Sequence, residues 1–360
     1  MARVAIAMSG GVDSSVAAAL LKDKGFEVIG LHMKLYRGPE NDIRNKSCCS
    51  IDETLDARLA CHRLGIPFYA IDYQQEFRET VINYFIEDYS SGNTPNPCVM
   101  CNKKIKSSLL LKKAAELDCE HLATGHYARI CSNPDTGSTQ LSRPQDLRKD
   151  QTYFLHGIPS EDLPRLIFPL SELTKTEVRE IARKLRLSAA NKPDSQEVCF
   201  VPKDYREFLK NEMNETPLPG EFTSISGEVL GEHKGLPFYT IGQRRGLGLN
   251  DTTPYYVVKI DKEQNRIVLG KEDDLYSKTI SVSSVNWVSI SAPETPISAS
   301  VKLRSAHHGA TATLIPVSGN KVRLELENPE RAVTPGQAAV FYHDDILLGG
   351  GKIDLSLIHI

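Results

Sequence analysis

No stretch of the 360-residue chain approaches the ~20 consecutive apolar residues of a membrane helix, so no membrane partner is expected. The N-terminal MARVAIAMSGG carries one charged side chain before turning polar and offers no small-residue cleavage site, which argues against a secretory leader. An excess of one charge is missing too. Lys and Arg number 43 against 46 Asp and Glu, a formal net charge of −3 that by itself recommends no nucleic-acid partner. There is no internal repeat and no low-complexity tract. With 40% apolar and 25% charged residues, collagen, coiled coil and general disorder are excluded. At ~150 residues per domain the length allows about two to three domains. Eight cysteines without an export signal predict reduced thiols in a cytoplasmic setting, available for catalysis or metal binding.

Over the first ~200 residues, strand-like and helix-like stretches alternate. Arg3–Met8 reads as a strand running into Ser-Gly-Gly, and Ser14–Lys24 as a helix closed by Gly25. Glu27–Met33 and Phe68–Ile71 read as strands around a helix over Ile51–Leu64. Helical patterns follow at Gln74–Tyr89 and Asn102–Leu117, with a strand near His121–Thr124. Such alternation predicts βαβ units and a parallel sheet. Thr174-Lys-Thr-Glu177 is a capping box opening a basic helix. Beyond about residue 205 the pattern changes. Pro217, Pro219 and Gly220 interrupt it, and from Tyr255 onward short β-patterned runs (YVVKI, RIVL, ISVSSVNWV, SVKLR, ATLIP, KVRLELE, AAVFY) predict a small barrel or sandwich. The expected domains are 1–205, 206–277 and 278–360. Charge is segregated among them: Cys101–Lys113 holds five Lys and no acid, and 295–324 holds Lys302, Arg304, Lys321 and Arg323 with no acid. Each run taken singly is an ordinary solvated face; together they suggest a nucleic-acid face.

Three motifs carry chemistry. Ser9-Gly-Gly-Val-Asp-Ser-Ser15 lies between a predicted strand and a predicted helix, where glycines admit an anion to the backbone and to the positive helix end. It lacks the lysine of a G-x-x-x-x-G-K-[ST] loop. Cys98-Val-Met-Cys101 follows Asn93-Thr-Pro-Asn-Pro97 and adjoins Asn102-Lys-Lys; a thiol at the start of a basic helix has a lowered pKa. A lone C-x-x-C is equally a redox pair, half a zinc site, or coincidence, and Cys48-Cys49 does not complete a zinc spacing well. Cys199, in Pro193-Asp-Ser-Gln-Glu-Val-Cys-Phe200, is a third candidate. Cys61, Cys119 and Cys131 read as buried small hydrophobes.

The loop SGGVDSS resembles the pyrophosphate-binding loop of the ATP pyrophosphatase superfamily. Taken with NTPNPCVMCNKKIK, ATGHYAR, KDQTYFL, KPDSQEVCF, YTIGQRRGLG and TPGQAAVFY, in order from residue 5 to 342, the chain resembles the bacterial tRNA-specific 2-thiouridylases. The resemblance implies an α/β Rossmann-like catalytic domain, a small central domain and a C-terminal β-barrel. It implies 2-thiolation of the wobble uridine of tRNA: ATP adenylates the base, sulfur displaces AMP, and pyrophosphate is released. ATP with Mg2+ would lie on Ala7, Met8, Ser9, Gly10, Gly11, Val12, Asp13 and Ser14, with Met33 and Gly125 at the adenosine end. Cys101 matches the nucleophile and Cys199 the cysteine that carries persulfide sulfur, relayed from a cysteine desulfurase. Asn96, Pro97 and Cys98 would border the target base. His126, Lys149, Asp150, Gln151, Arg304, Ser305 and Gln337 would contact the tRNA. Many family members have Asp where this chain has Cys98, so an acid–base role there is in doubt. Cys98, Cys101 and Cys199 could instead hold a four-iron four-sulfur cluster. An ATP-dependent amidating ligase and a metal-stapled RNA-binding module are the other readings of the residues; the first lacks a glutaminase signature, and the second leaves the phosphate loop unexplained.

Overall fold

The computed structural model describes residues 2–36, 51–192, 198–201, 204–213, 216–249 and 253–357. The chain divides into two compact units, one of residues 1–82, 98–203 and 345–347, the other of 83–97, 204–344 and 348–360.

In the first unit a parallel sheet has the order Phe68–Asp72, Glu27–Lys34, Arg3–Ala7, His121–Ala123, Leu166–Ile167. The expected parallel sheet is therefore present. Its order reverses direction at Arg3–Ala7, and open α/β sheets bind ligands at the carboxyl ends of strands beside such a reversal. Val4 and Ile6 on that strand are fully buried. They belong to one apolar cluster with Val12, Val16 and Ala17 of the helix Val12–Asp23, Ala57 and Cys61 of Ile51–Leu64, and Val178 and Ala182 of Lys175–Lys184. Helices are thus fixed to the sheet by their apolar stripes, and their N-terminal ends present the loops that follow the strands.

The predicted helix over 102–117 begins earlier. Pro97 opens it, the position where a missing N–H and a fixed φ cost least; Pro97–Met100 is α, Cys101–Leu110 is π, and Leu111–Glu116 is α. Gln74–Phe77, Arg78–Ile82 and Asn83–Ser90 show the same α–π–α sequence. π-turns cluster at functional sites.

In the second unit Tyr256–Asp261, Arg266–Gly270, Gly220–Ser224 and Val229–His233 form a four-stranded sheet. Six further strands close a barrel: Tyr276–Trp287, Lys321–Arg331, Ala310–Val317, Ile297–Lys302, Ala338–His343 and Ile346–Leu357, the last pairing back onto the first. Closure pairs each of these six strands on both sides. Val282, Val301, Leu314, Leu324 and Phe341 fill the interior. No helix among the described residues is long and apolar enough to cross a membrane.

Candidate functional site

Leaving the first strand at Ala7, the chain turns through Ser9–Gly11 into the helix Val12–Asp23. Gly11 is the N-cap, with φ −87° and ψ 168°, and no side chain caps the helix start. An uncapped N-terminus presents its first-turn N–H groups to an anion. Gly10 holds φ +78°, and a Cβ there would lie 2.5 Å from the Glu53 carbonyl oxygen. The hydroxyls knit the turn internally. Ser14 Oγ accepts from Ser9 N (3.2 Å) and donates to Gly11 O (3.2 Å), while Ser15 Oγ donates to Gly11 O (2.9 Å). Met8, Gly10, Val12 and Ser14 are buried, Ala7, Gly11 and Asp13 half-buried, and Ser9 exposed. A ligand here meets backbone more than side chain. His32 braces the turn from beneath. Its Nδ1 bonds Met8 O at 2.8 Å and its Nε2 bonds Thr54 Oγ1 at 2.9 Å, and burial lowers its pKa, so the ring is neutral.

Gly125, after the strand His121–Ala123, packs directly on this loop: a Cβ there would stand 2.8 Å from Ser14 N and 2.9 Å from Asp13 C. Met33 lies near the carboxyl end of the neighbouring strand Glu27–Lys34. The loop, Met33 and Gly125 therefore meet at the carboxyl edge of one sheet. Asp13 accepts from Lys175 Nζ at 2.7 and 2.8 Å and from the Tyr127 hydroxyl at 3.0 Å. Tyr127 is in turn held by Gln151, whose Oε1 accepts from Tyr127 N at 2.9 Å. Lys175, Tyr127 and His32 were not among the residues expected from the sequence. For Lys175 the only signal was its place directly after the cap Thr174; its partner lies 162 residues away.

Among the cysteines, Cys101 is 8% exposed and starts the π segment, so it is not at a helix N-terminus as the sequence suggested. The residue in the first helical turn is Cys98, and there burial, with Lys106 opposing it, raises the thiol pKa. The expected thiolate-favouring field therefore falls on a thiol that stays protonated at neutral pH. Cys199 is half-exposed in a turn, and its neighbour Phe200 anchors that turn edge-on against Phe77 (5.7 Å) and Tyr36 (6.3 Å). Residues 193–197 of that motif and Cys48-Cys49 lie outside the described residues. Among the described residues no three His, Cys, Asp or Glu side chains converge as metal ligands. The donor set Cys98, Cys101 and Cys199 does not fit a four-iron four-sulfur cluster in this arrangement. Cys61 is fully buried with its thiol pushed up to about 12, a packing residue as expected.

Asn102, beside Cys101, shares a small cavity with Lys106, Thr124 and His126. The segment Thr124–His126 thus links the cysteine helix to the phosphate loop, through Gly125. His126 bonds Thr124 Oγ1 through Nδ1 (2.7 Å) and lies 3.4 Å from Lys106 Nζ through Nε2. Burial and the Lys106 charge hold its pKa well below the usual histidine value. A neutral ring facing an ammonium accepts on Nε2 and keeps its proton on Nδ1.

The other residues expected at the tRNA differ in how accessible they are. Arg304 and Ser305 are exposed in the turn after Ile297–Lys302. Asp150 accepts from Thr152 N (2.9 Å) and Thr152 Oγ1 (2.6 Å), and Gln151 braces Tyr127, so both are engaged internally next to Lys149. In the cysteine helix Lys104 is exposed but Lys103 and Lys106 are half-buried, so the basic run is not one solvated face. In the second unit Gln337 donates to Thr94 O (2.9 Å) and Pro95 O (3.4 Å), and Thr94 N donates to Pro335 O (2.8 Å). The amide thereby fixes the two residues before Asn96-Pro97. Gln337→Glu removes both donors and sets a carboxylate against two carbonyls. It is expected to lower kcat/KM for tRNA by about tenfold, ~1.4 kcal/mol, while ATP affinity is unchanged. An equal loss of ATP affinity would mean general unfolding instead.

Three domain-family models match along the chain. One described as tRNA methyl transferase HUP domain matches residues 2–203, tRNA methyl transferase PRC-barrel domain 206–271, and Aminomethyltransferase beta-barrel domain 277–353. The chain is 46% identical over 361 residues to a Symbiobacterium thermophilum protein named tRNA-specific 2-thiouridylase MnmA, covering 99% of this chain and 93% of that protein. A protein of the same name from Geobacter metallireducens is 46% identical over 361 residues, covering 99% and 97%. One from Carboxydothermus hydrogenoformans is 46% identical over 359 residues, covering 99% and 98%.

Proposed function

Because the chain belongs to the family of tRNA-specific 2-thiouridylases, we propose that it uses ATP to replace the carbon-2 oxygen of the tRNA wobble uridine with sulfur. Two of the family descriptions speak of methyl transfer. A phosphate loop on an uncapped helix and two placed thiols serve adenylation and sulfur transfer, which agrees with the relatives' names. The observation that carries the reading is the meeting of loop and thiol helix at Thr124–His126. Neither the amidating ligase nor the metal-stapled module accounts for that meeting.

In the first step the uridine oxygen attacks the α-phosphorus, and the bond from that phosphorus to the β-phosphate bridge breaks, its electron pair leaving with pyrophosphate. The loop amides and the helix end hold the phosphates in line for this displacement. Magnesium supplies charge neutralisation on the phosphates when it arrives with ATP, and Asp13 is the carboxylate placed to hold it. The base must leave its stack to reach such a site, and Asn96, Pro97 and Cys98 would border it. In the second step the terminal sulfur of a Cys199 persulfide, charged by a cysteine desulfurase relay, attacks carbon 2 and AMP departs. Cys101 then attacks Cys199 Sγ, the Sγ–S bond breaks onto the product sulfur, and a Cys101–Cys199 disulfide remains for an external thiol to reduce. Arg304 and Ser305, exposed in their turn, would meet tRNA phosphate, and His126, Lys149, Asp150 and Gln151 would contact the tRNA from the other unit.

Mass spectrometry of tRNA nucleosides after incubation with ATP and a persulfide donor tests the reading. A 2-thiouridine product with equimolar AMP is expected. Pyrophosphate release that tRNA does not stimulate, with no thionucleoside, would overturn it.

A further inference from the structure

Asp13 is held from two sides, and both holders hang on one short segment of chain. The Tyr127 hydroxyl donates to Asp13 Oδ1 at 3.0 Å, and Lys175 Nζ meets both carboxylate oxygens at 2.7 and 2.8 Å. Behind Tyr127, Gln151 bonds the same residue twice: its Oε1 accepts from Tyr127 N (2.9 Å) and its N donates to Tyr127 O (3.1 Å). Behind Lys175, the Asp146 carboxylate accepts from Lys175 N at 3.0 Å. Residues 146–151 thus close a ring of hydrogen bonds that starts and ends at Asp13, all of it inside the first unit. We infer that this segment couples tRNA to the phosphate loop, with Tyr127 as the positioning residue that carries the coupling to Asp13. The inference rests on the reading of the site as one that takes ATP at the loop and tRNA at residues 149–151.

The two ends of the segment face inward and its middle faces out. Asp146 is buried, and its other oxygen accepts from Arg148 N (3.3 Å), capping the turn Leu147–Lys149. Asp150 is pinned by Thr152, which is fully buried. Between them the Arg148 side chain is 85% exposed and Lys149 half-buried, so two cations stand at the rim where backbone phosphate would pass. On the inside Tyr127 is buried, its ring part of the apolar cluster of Val12, Val16 and Val178. A ring packed at that density does not turn independently of its backbone, so a shift of Gln151 reaches the hydroxyl. The cluster itself gains nothing from a phenol where phenylalanine would fit, since a buried hydroxyl is tolerated only when bonded. Here the bond goes to a carboxylate oxygen and is charge-assisted. Asp13 holds magnesium only by giving up part of its present hydrogen bonding, and each donor on the carboxylate competes with the metal. tRNA drawn onto Arg148 and Lys149 pulls the segment outward, loosens the phenol from Asp13 and leaves the carboxylate to the metal. Until then ATP is held less tightly, and adenylation waits for its acceptor.

Titration calorimetry tests this with magnesium α,β-methylene-ATP, which is not split, with and without a saturating unmodified tRNA transcript that has uridine at the wobble position. In wild type, tRNA is expected to raise nucleotide affinity about tenfold, and the nucleotide to raise tRNA affinity by the same factor. Tyr127→Phe keeps the ring and removes the bond to Asp13. Without tRNA it is expected to bind the nucleotide about as tightly as wild type does with tRNA, and the coupling factor should fall below about twofold. A residue that only packs would not raise affinity while erasing the coupling. Gln151→Met removes the acceptor for Tyr127 N and leaves the hydroxyl on Asp13. It should lower the factor to below about threefold and leave nucleotide affinity at the level of wild type without tRNA. Thermal melts check that both variants fold, and if Tyr127→Phe does not, the factor in Gln151→Met carries the comparison. An unchanged factor in folded Tyr127→Phe, or a factor of one in wild type that binds both ligands, would overturn the inference alone. Wild type that fails to bind nucleotide or tRNA would remove the reading of the site and the inference with it.

Discussion

Cys199→Ser and Cys101→Ser are each expected to lower tRNA thiolation by at least about a thousandfold while leaving tRNA-stimulated pyrophosphate release measurable, since adenylation precedes the sulfur steps. Serine nearly matches the thiol in volume but carries no persulfide and forms no disulfide. Cys199 is half-exposed, so its loss leaves no cavity, and Phe200 still anchors the turn against Phe77 and Tyr36. Cys101 is buried, and serine, close to cysteine in volume, leaves little cavity there. Cys98→Ser should differ sharply. Burial raises the Cys98 thiol pKa, which disfavours it as the attacking sulfur. Its serine variant is expected to keep thiolation within about tenfold of wild type when persulfide is supplied in air. Single-turnover assays with radiolabelled sulfur separate the cases. Loss of activity in Cys98→Ser equal to that in Cys101→Ser would return the three thiols to one shared role.

The parallel sheet could be read from the sequence because its central strands are buried along their middles, and the β-branched runs Arg3–Ala7 and Glu27–Lys34 stand out between glycine stops. The helix Ile51–Leu64 fell where its periodicity put it. The last barrel strand, Ile346–Leu357, did not show, because Gly349-Gly350-Gly351 reads as a loop. In space those glycines are the condition for closure: Cβ atoms would lie 2.4 Å from Asn286 O at Gly349 and 2.5 Å from Ser283 O at Gly351. Phosphate loop and thiols are contiguous motifs and were visible. Lys175, Tyr127 and Gln337 were hidden as partners for a common reason: each acts across a long sequence separation, Gln337 on a loop 243 residues earlier. The difference at Cys101 is local: Pro97 starts the helix four residues before Cys101 and leaves Cys98 in the first turn.

Gly125→Ala is expected to reduce ATP-dependent pyrophosphate release by about a hundredfold, the penalty a displacement of roughly 1 Å can exact, although no ligand contact from a glycine side chain is lost. Its Cβ would come 2.8 Å from Ser14 N, 2.9 Å from Asp13 C and 3.1 Å from Ser14 Cα, all backbone atoms of the first helical turn. No rotamer relieves that contact. Either the strand end His121–Ala123 or the loop helix must move, and the helix is fixed below by Val12, Val16 and Ala17 in the apolar cluster. The turn that carries the first N–H groups and Asp13 is then displaced from the phosphates it has to align. Gly11→Ala is the paired control. At φ −87° alanine fits without strain, and its Cβ meets only Ser9 Oγ at 3.3 Å. That variant should melt close to wild type and lose activity only so far as its methyl crowds the phosphate. Gly125→Ala should lose both several degrees of melting temperature and ATP affinity, because one movement costs packing and alignment together. Calorimetric melts with pyrophosphate assays on the two variants decide the matter. Wild-type release by a fully folded Gly125→Ala would show that the loop does not depend on this close approach.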